Sequence, residues 1–294
     1  MKHSLSLSLS LSALALIIAS GSTMAADLPT HKAAPQIIAP PPAWTGFYVG
    51  LNAGGAWASN STTNQAYGLT NPTIAGYGSN SSWAAAISAA PYGSGNNYAG
   101  FMGGGQVGYN WQVKDRFLLG GEADIQGIAS NSGGTQIYGT ASDSSNVTYS
   151  TFGKQTANLN YLGTVRGRIG YLVTPALLVY GTGGVAYGQT TTNASYSTGD
   201  SRGRSGWGSL SFSNTQVGWT AGGGVEWMFM QNWSAKAEYL YYNLGSVGSQ
   251  TNVVEPNGAW SYNIQNRTQF NGNLVRAGVN YHINWGAAPI LAKY

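Results

Sequence analysis

The chain has 294 residues, and only 7% of them are charged, whereas a soluble globular protein carries about 25% charged residues. It is rich in glycine (43 residues), tyrosine (19) and tryptophan (10), and it contains no cysteine. This composition argues against a soluble enzyme and a disulfide-stabilised scaffold, and a net charge of +4 from 13 basic residues argues against nucleic-acid binding. No apolar run of about 18 residues follows residue 25, so a helical membrane protein is excluded and a membrane-spanning β-barrel is favoured.

The first 25 residues have the pattern of a cleaved secretory signal peptide. Lys2 and His3 precede an apolar core at 13–20, and cleavage is predicted between Ala25 and Ala26. The core is far shorter than the roughly 20 residues of a spanning helix. Residues 26–43 are rich in proline and lack apolar periodicity, which predicts an extended periplasmic leader.

Eight segments then alternate apolar or aromatic residues with small or polar ones, as strands with two different faces do. Each is longer than the about 9–11 residues that a tilted strand needs to cross a bilayer. We predict an all-β fold, an eight-stranded antiparallel up-and-down transmembrane β-barrel over residues 44–285, with a C-terminal tail at 286–294. The predicted strands are Trp44–Trp57, Tyr98–Val113, Arg116–Ile128, Thr156–Val173, Ala176–Gln189, Asn214–Met230, Trp233–Gly245 and Arg267–Trp285.

The connections between these segments alternate strictly between short and long. Three are turns of about two residues, centred on 114–115, 174–175 and 231–232. The other four are predicted to be long loops of Ser, Asn, Thr and Gly: 58–97, 129–155, 190–213 and 246–266. Such alternation is typical of an outer-membrane barrel, so we expect the short turns and both termini in the periplasm and the long loops outside the cell.

Charged residues fall on one face of the predicted strands. An Arg or Lys on the lipid face costs about 2–4 kcal/mol near the bilayer midplane, so this face is predicted to point into the lumen. Four acidic and four basic residues are placed there: Glu122, Asp124, Arg166, Arg168, Glu226, Lys236, Glu238 and Arg276. They would form either a selectivity ring in a pore or a salt-bridged plug, and their balanced charge favours the plug.

Aromatic residues recur near the short turns, which predicts an interfacial girdle. The girdle is expected to contain Trp44, Tyr109, Trp111, Phe117, Tyr171, Trp227, Phe229, Trp233, Tyr281 and Trp285.

Four predicted strands carry a family resemblance. Trp44–Gly55, Leu162–Tyr171, Tyr180–Gly188 and Asn232–Tyr241 resemble strands of the small outer-membrane β-barrel proteins of alphaproteobacteria, the RopB and outer-membrane immunogenic protein type. The similarity covers residues 44–285 apart from the long loops. It implies an eight-stranded barrel in the outer membrane and no catalytic residues.

The end of the last predicted strand resembles the signal read by the outer-membrane assembly machinery, which implies that machinery as a partner. Gly278, Tyr281 and Ile283 carry this resemblance. The chain continues to Tyr294, so either Ile283 or Tyr294 ends the signal.

The sequence offers little for catalysis, cofactors or metals. Gly181, Gly183 and Ala186 match the dinucleotide-binding pattern, but no helix is predicted after them. Glycine in a barrel strand more often permits bending or makes room for lumen side chains. His282 is the one histidine of the predicted barrel, and a Ser–His–acid site needs geometry that a sequence does not reveal. We therefore predict no catalytic, cofactor-binding or metal site.

These observations predict a non-enzymatic integral outer-membrane barrel with a structural, envelope-integrity and surface-exposed role. Its expected partners are outer-membrane lipid and lipopolysaccharide, with host or phage contacts through the four long loops. The alternatives are a narrow porin for small solutes, an outer-membrane lipid-modifying enzyme and a soluble periplasmic sandwich.

Overall fold

The computed structural model describes residues 44–58, 61–70, 99–130, 134–142, 146–254 and 261–283. The predicted signal peptide at 1–25 with its Ala25–Ala26 cleavage site, the leader at 26–43 and the tail at 286–294 lie outside the described residues. Within the described ranges, no helix is long and apolar enough to span a membrane.

The described chain forms one antiparallel sheet of 10 strands. The strands are β1 (Gly46–Ala58), β2 (Ser61–Thr70), β3 (Ala99–Val113), β4 (Phe117–Ser130), β5 (Gly134–Ser142), β6 (Thr148–Thr174), β7 (Leu177–Asp200), β8 (Ser205–Met230), β9 (Trp233–Val254) and β10 (Ser261–Ile283).

The sheet closes into a barrel. The strand order is β1-β3-β4-β6-β7-β8-β9-β10, and β10 pairs back with β1 from Phe47↔Ile283 to Ala58↔Gly272. β2 continues the wall position of β1 along β10, and β5 continues that of β4 along β6. The ring therefore has eight wall positions, and the predicted eight-stranded antiparallel barrel is confirmed.

The strands at the long-connection end extend well beyond their predicted bounds. β7 runs to Asp200, β8 begins at Ser205 and β9 runs to Val254, so only residues 201–204 turn between β7 and β8. The prediction of long loops is therefore wrong for most of 129–155, 190–213 and 246–266, and in part for 58–97, which contains β2. The range 129–155 contains β5 and the beginning of β6.

The missed extensions have a physical cause. Outside a bilayer the outer face of a strand needs no apolar side chains, so the contrast between faces that marks the spanning segments disappears. The chain nevertheless keeps residues with high strand propensity, above all threonine and tyrosine. In β7 the alternate residues Ala194, Tyr196 and Thr198 remain buried.

One part of the wall is incompletely paired. β8 pairs with β9 at Trp207↔Val254 and again from Trp219↔Asn243, but not between these points, although β7 pairs with β8 throughout. The side chains of residues 211–215 are exposed on both faces of β8. An unpaired strand edge thus lies within the described wall.

This edge predicts uneven hydrogen exchange. Among the described residues, amides of 208–218 that point toward β9 have no partner strand, so we expect them to exchange much faster than amides of residues 190–199, which are paired on both sides. Exchange of the folded protein in detergent, resolved by peptide mass spectrometry, measures the difference. Equal protection of the two segments would contradict the absence of pairing between β8 and β9 in this region.

Two aromatic girdles bound an apolar outer face. The lower girdle, at the short turns, contains Phe47, Tyr109, Trp111, Phe117, Tyr171, Trp227, Phe229, Trp233 and Tyr281, and the upper girdle contains Trp57, Phe101, Trp219 and Tyr241. Trp57 lies ten residues after Phe47, which corresponds to about 33 Å along the strand and about 25 Å in height at a tilt near 40°. This height fits a bilayer-spanning belt.

The belt contains no charge on its lipid side: among the described residues, no Asp, Glu, Lys or Arg lies on the outer face between the girdles.

The prediction that Trp44 belongs to the girdle is wrong. Trp44 is fully buried inside the barrel. There its indole Nε1 donates to the Pro175 carbonyl at 2.8 Å, and its ring packs edge-on to His282. Trp285 lies outside the described residues.

Candidate functional site

The eight charged residues predicted to face the lumen are all buried, with at most 5% of each residue exposed. Strand alternation places them on β4, β6, β8, β9 and β10. The register sets opposite charges directly across neighbouring strands, at Glu122↔Arg166, Glu226↔Lys236 and Glu238↔Arg276. We call these eight residues the lumen network.

Arg166 lies at the centre of the lumen network. Its Nη2 contacts Glu122 Oε1 at 2.5 Å and Asp124 Oδ2 at 2.7 Å, and its Nη1 contacts Glu238 Oε1 at 2.9 Å. Its Nε donates to Thr164 Oγ1 at 2.9 Å. One guanidinium thereby joins carboxylates from β4 and β9, on different sides of the barrel.

Arg276 and Lys236 join the same carboxylates from the other side. Arg276 Nη2 contacts Glu238 Oε2 at 2.5 Å and Asp124 Oδ2 at 2.8 Å. Lys236 Nζ donates to both oxygens of Glu122, at 2.8 and 2.9 Å. Glu122, Asp124 and Glu238 therefore each meet more than one cation, which offsets the cost of burying their charge.

Arg168 forms the part of the network nearest the short turns. Its Nη2 contacts Glu226 Oε2 at 2.7 Å, and its Nη1 donates to the Tyr48 hydroxyl at 2.8 Å. That hydroxyl donates in turn to Glu122 Oε2 at 2.7 Å. The Arg168 guanidinium also lies 4.1 Å from the centre of the Tyr180 ring, a cation–π contact.

Removing the Tyr48 hydroxyl should cost a moderate amount of stability. Tyr48→Phe leaves Arg168 and Glu122 without their shared partner, and we expect the free energy of unfolding to fall by about 1–3 kcal/mol. Urea unfolding followed by tryptophan fluorescence measures the loss. Tyr109→Phe, on the outer face, is the control and should change stability little; equal effects of the two substitutions would refute a bridging role for Tyr48.

Two apolar layers enclose the lumen network. Toward the short turns lies a cluster of Trp44, Leu118, Leu172, Leu178, Tyr180 and Met228. Toward the upper girdle lies a larger cluster that includes Met102, Leu159, Leu162, Leu240, Tyr242, Leu244, Phe270 and Leu274. The sequence prediction missed these layers, although Leu118 and Leu240 share the strand parity of the charged residues and could have revealed them.

Glycine makes room for this packing. A Cβ at Gly184 would lie 2.1 Å from the Val165 carbonyl oxygen, and one at Gly108 would lie 2.3 Å from the Tyr48 hydroxyl. The dinucleotide-like pattern of Gly181, Gly183 and Ala186 lies within a strand, β7, and not in a loop before a helix. A Cβ added at Gly181 or Gly183 would meet nothing closer than 3.6 Å, so close packing does not account for these two glycines.

Ser234, His282 and Glu226 meet in the lumen, but not as a catalytic triad. Ser234 Oγ donates to Glu226 Oε1 at 2.6 Å and lies 2.9 Å from His282 Nε2, and the same Nε2 lies 3.5 Å from that carboxylate. In a triad the base contacts the nucleophile and the acid through different ring nitrogens. All three residues are buried.

Among the described residues, no group of three or more His, Cys, Asp or Glu side chains could hold a metal ion.

The predicted assembly signal lies on β10, which closes the barrel against β1. Tyr281 pairs with Val49 and packs on the Trp233 ring at 5.1 Å, while Ile283 is the last residue of the strand. Gly278 pairs with Asn52. Tyr294 lies outside the described residues, so the end of the signal stays a prediction.

Comparison with known proteins agrees with this architecture. Residues 11–282 match the family described as outer membrane protein beta-barrel domain. The chain is 32% identical over 264 residues to the 31 kDa outer-membrane immunogenic protein of Brucella melitensis, covering 88% of this chain and 93% of that protein. It is 34% identical over 155 residues to the 22 kDa outer membrane protein of Rhizobium leguminosarum, covering 51% of this chain and 56% of that protein.

Solved structures that it resembles include the outer membrane protein OprG from Pseudomonas aeruginosa, at 9% identity and a TM-score of 0.35, with 81% of this chain and 97% of OprG covered. Neisserial surface protein A is similar at 13% identity and a TM-score of 0.29, with 81% and 98% covered.

Proposed function

This chain belongs to the outer membrane protein beta-barrel domain family, and we propose that it is a non-enzymatic barrel with a closed lumen that supports the integrity and the surface of the cell envelope. It is an integral protein of the outer membrane. The observation that carries the proposal is the packed interior, in which the lumen network lies between two apolar layers.

A closed lumen fits the charges better than a pore does. The network contains four carboxylates and four cations, all within a few ångströms of an opposite charge, so no single sign of charge lines a passage. Apolar side chains above and below exclude water and strengthen these interactions. A narrow porin would need the network to open, and each broken pair would expose an uncompensated buried charge.

We propose that the short turns face the periplasm and that the extended hairpins face outward, where they contact lipopolysaccharide and the surfaces of hosts or phage. Short periplasmic turns and longer extracellular connections are the rule in such barrels. The hairpin of β7 and β8 ends at residues 201–204, and Trp207 beside it is 62% exposed.

The lack of cysteine makes this orientation easy to test. Ser201→Cys, at the tip of the hairpin, should react with a membrane-impermeant maleimide in intact cells. Asp115→Cys, in a short turn, should react only after the outer membrane is permeabilised. The reverse pattern would overturn the orientation.

The structural role predicts a barrier defect. A deletion strain should admit more of a hydrophobic dye and become sensitive to detergent, and the wild-type gene should restore the barrier. His282→Gln should restore it equally if the protein folds, as judged by its heat-modifiable gel shift. Altered lipid A or phospholipid profiles on overexpression, lost in His282→Gln, would favour the lipid-modifying enzyme instead.

A further inference from the structure

A recess lies on the outer face of the barrel where β9, β10 and β2 meet. It has a volume of about 810 Å³, and its lining includes Thr63, Ser246, Gly248, Gln250, Gln265 and Arg267. We call it the Arg267 recess. The residues at 248, 250, 265 and 267 are exposed, so the recess opens away from the lumen network.

The recess lies just beyond the upper girdle. Trp219 of that girdle is opposite Asn243, which pairs with Asn271, and Arg267 lies four residues further along β10. Four residues correspond to about 13 Å along a strand, or about 10 Å in height at a tilt near 40°. The headgroup region of a bilayer extends about 5–7 Å beyond each edge of the hydrocarbon, so an arginine side chain at this position reaches it.

The lining suits an anionic, hydroxyl-rich ligand. Arg267 Nε donates to Ser246 Oγ at 2.9 Å, which holds the guanidinium in place. Among the described residues, no carboxylate lies within 4.0 Å of Arg267. The other lining groups named above are hydroxyls and amides. A Cβ added at Gly248 would have nothing within 4 Å, so the surface there is open.

The charged residues around the recess also favour an anionic ligand. In the described chain beyond the upper girdle the basic residues are Lys154, Arg202, Arg204 and Arg267, whereas Asp200 is the acidic one and pairs with Arg204. This end of the barrel is therefore basic in its described part and attracts polyanions.

From this geometry we propose that the Arg267 recess binds the phosphorylated sugar headgroup of an outer-leaflet glycolipid. The guanidinium takes the phosphate through charge-assisted hydrogen bonds, and the hydroxyl and amide groups contact the sugar. The proposal rests on the orientation proposed above, which places this end of the barrel outside the cell.

The test compares lipids that differ in phosphate. The full-length barrel, folded in detergent, is titrated with diphosphoryl lipid A, with dephosphorylated lipid A and with inorganic phosphate, and bound ligand is counted by native mass spectrometry. We expect diphosphoryl lipid A to bind, and Arg267→Gln to weaken its binding about tenfold. Arg267→Lys should have an intermediate affinity, because it keeps the charge but loses the bidentate fork.

Lys154→Gln is the matched control, since it removes an exposed cation from another part of the basic end and should leave the affinity unchanged. Equal losses in Lys154→Gln and Arg267→Gln would overturn the site in favour of general attraction. Equal binding of dephosphorylated lipid A, or displacement by inorganic phosphate alone, would overturn the proposed ligand. Lipid binding is measured on the purified barrel and the dye barrier on intact cells, so failure of this proposal is distinguishable from failure of the structural role.

Discussion

Replacing Arg166 with methionine should reduce the free energy of unfolding by about 3–5 kcal/mol, because it leaves buried carboxylates without their central cation. Methionine fills most of the space of the arginine stem, so lost packing contributes little to this effect. The network changes from neutral to a net charge of −1. Arg276 and Lys236 remain, but they already serve the same carboxylates.

Urea unfolding in lipid vesicles, followed by tryptophan fluorescence, measures this cost. Arg116→Gln is the matched control, since Arg116 is exposed in a short turn and donates to the Tyr171 hydroxyl, and its loss should change the free energy of unfolding little. Adding Glu238→Gln to Arg166→Met restores neutrality and should recover part of the loss. An Arg166→Met barrel as stable as the wild type would mean that the network does not hold the lumen together.

An arginine on the lipid face should cost about 2–4 kcal/mol at the middle of the apolar belt and about 0–1 kcal/mol beyond the upper girdle. Val165 and Val217 form a matched pair for this test. Both point outward, with exposures of 57% and 67%, but Val165 lies midway along the belt and Val217 lies two residues beyond Trp219 of the upper girdle.

We therefore expect Val165→Arg to destabilise the folded barrel in vesicles much more than Val217→Arg does. In detergent micelles, which adapt to the protein, the difference should shrink. Equal costs for the two substitutions in vesicles would contradict the position of the bilayer between the girdles.

The sequence predicted the faces of the strands better than their ends. Arg166 and Arg168 lie on one face of their strand and Val165 lies on the other. This local alternation was enough to place the charged side chains inside the barrel and the valine outside. The ends at Asp200 and Ser205 were missed because strand pairing beyond the bilayer needs no apolar outer face. Trp44 was misplaced since an aromatic beside a short turn suits either an interface or a packed lumen.

Partners within the lumen network could not be predicted, because they depend on closure of the whole ring. Arg166 and Glu238 are 72 positions apart in sequence and meet across the interior at 2.9 Å. The gap between β8 and β9 likewise depends on how those two strands separate beyond Trp219 and meet again at Trp207. Neither feature has a local sequence pattern.

The closed lumen is tested most directly by the conductance of the purified barrel in planar lipid bilayers under concentrated potassium chloride. We predict that insertion, verified by the heat-modifiable gel shift of the same preparation, gives no stable and reproducible single-channel steps. Steps of constant size that change when Arg166 or Arg168 is replaced would contradict the closed lumen and identify the protein as a narrow porin.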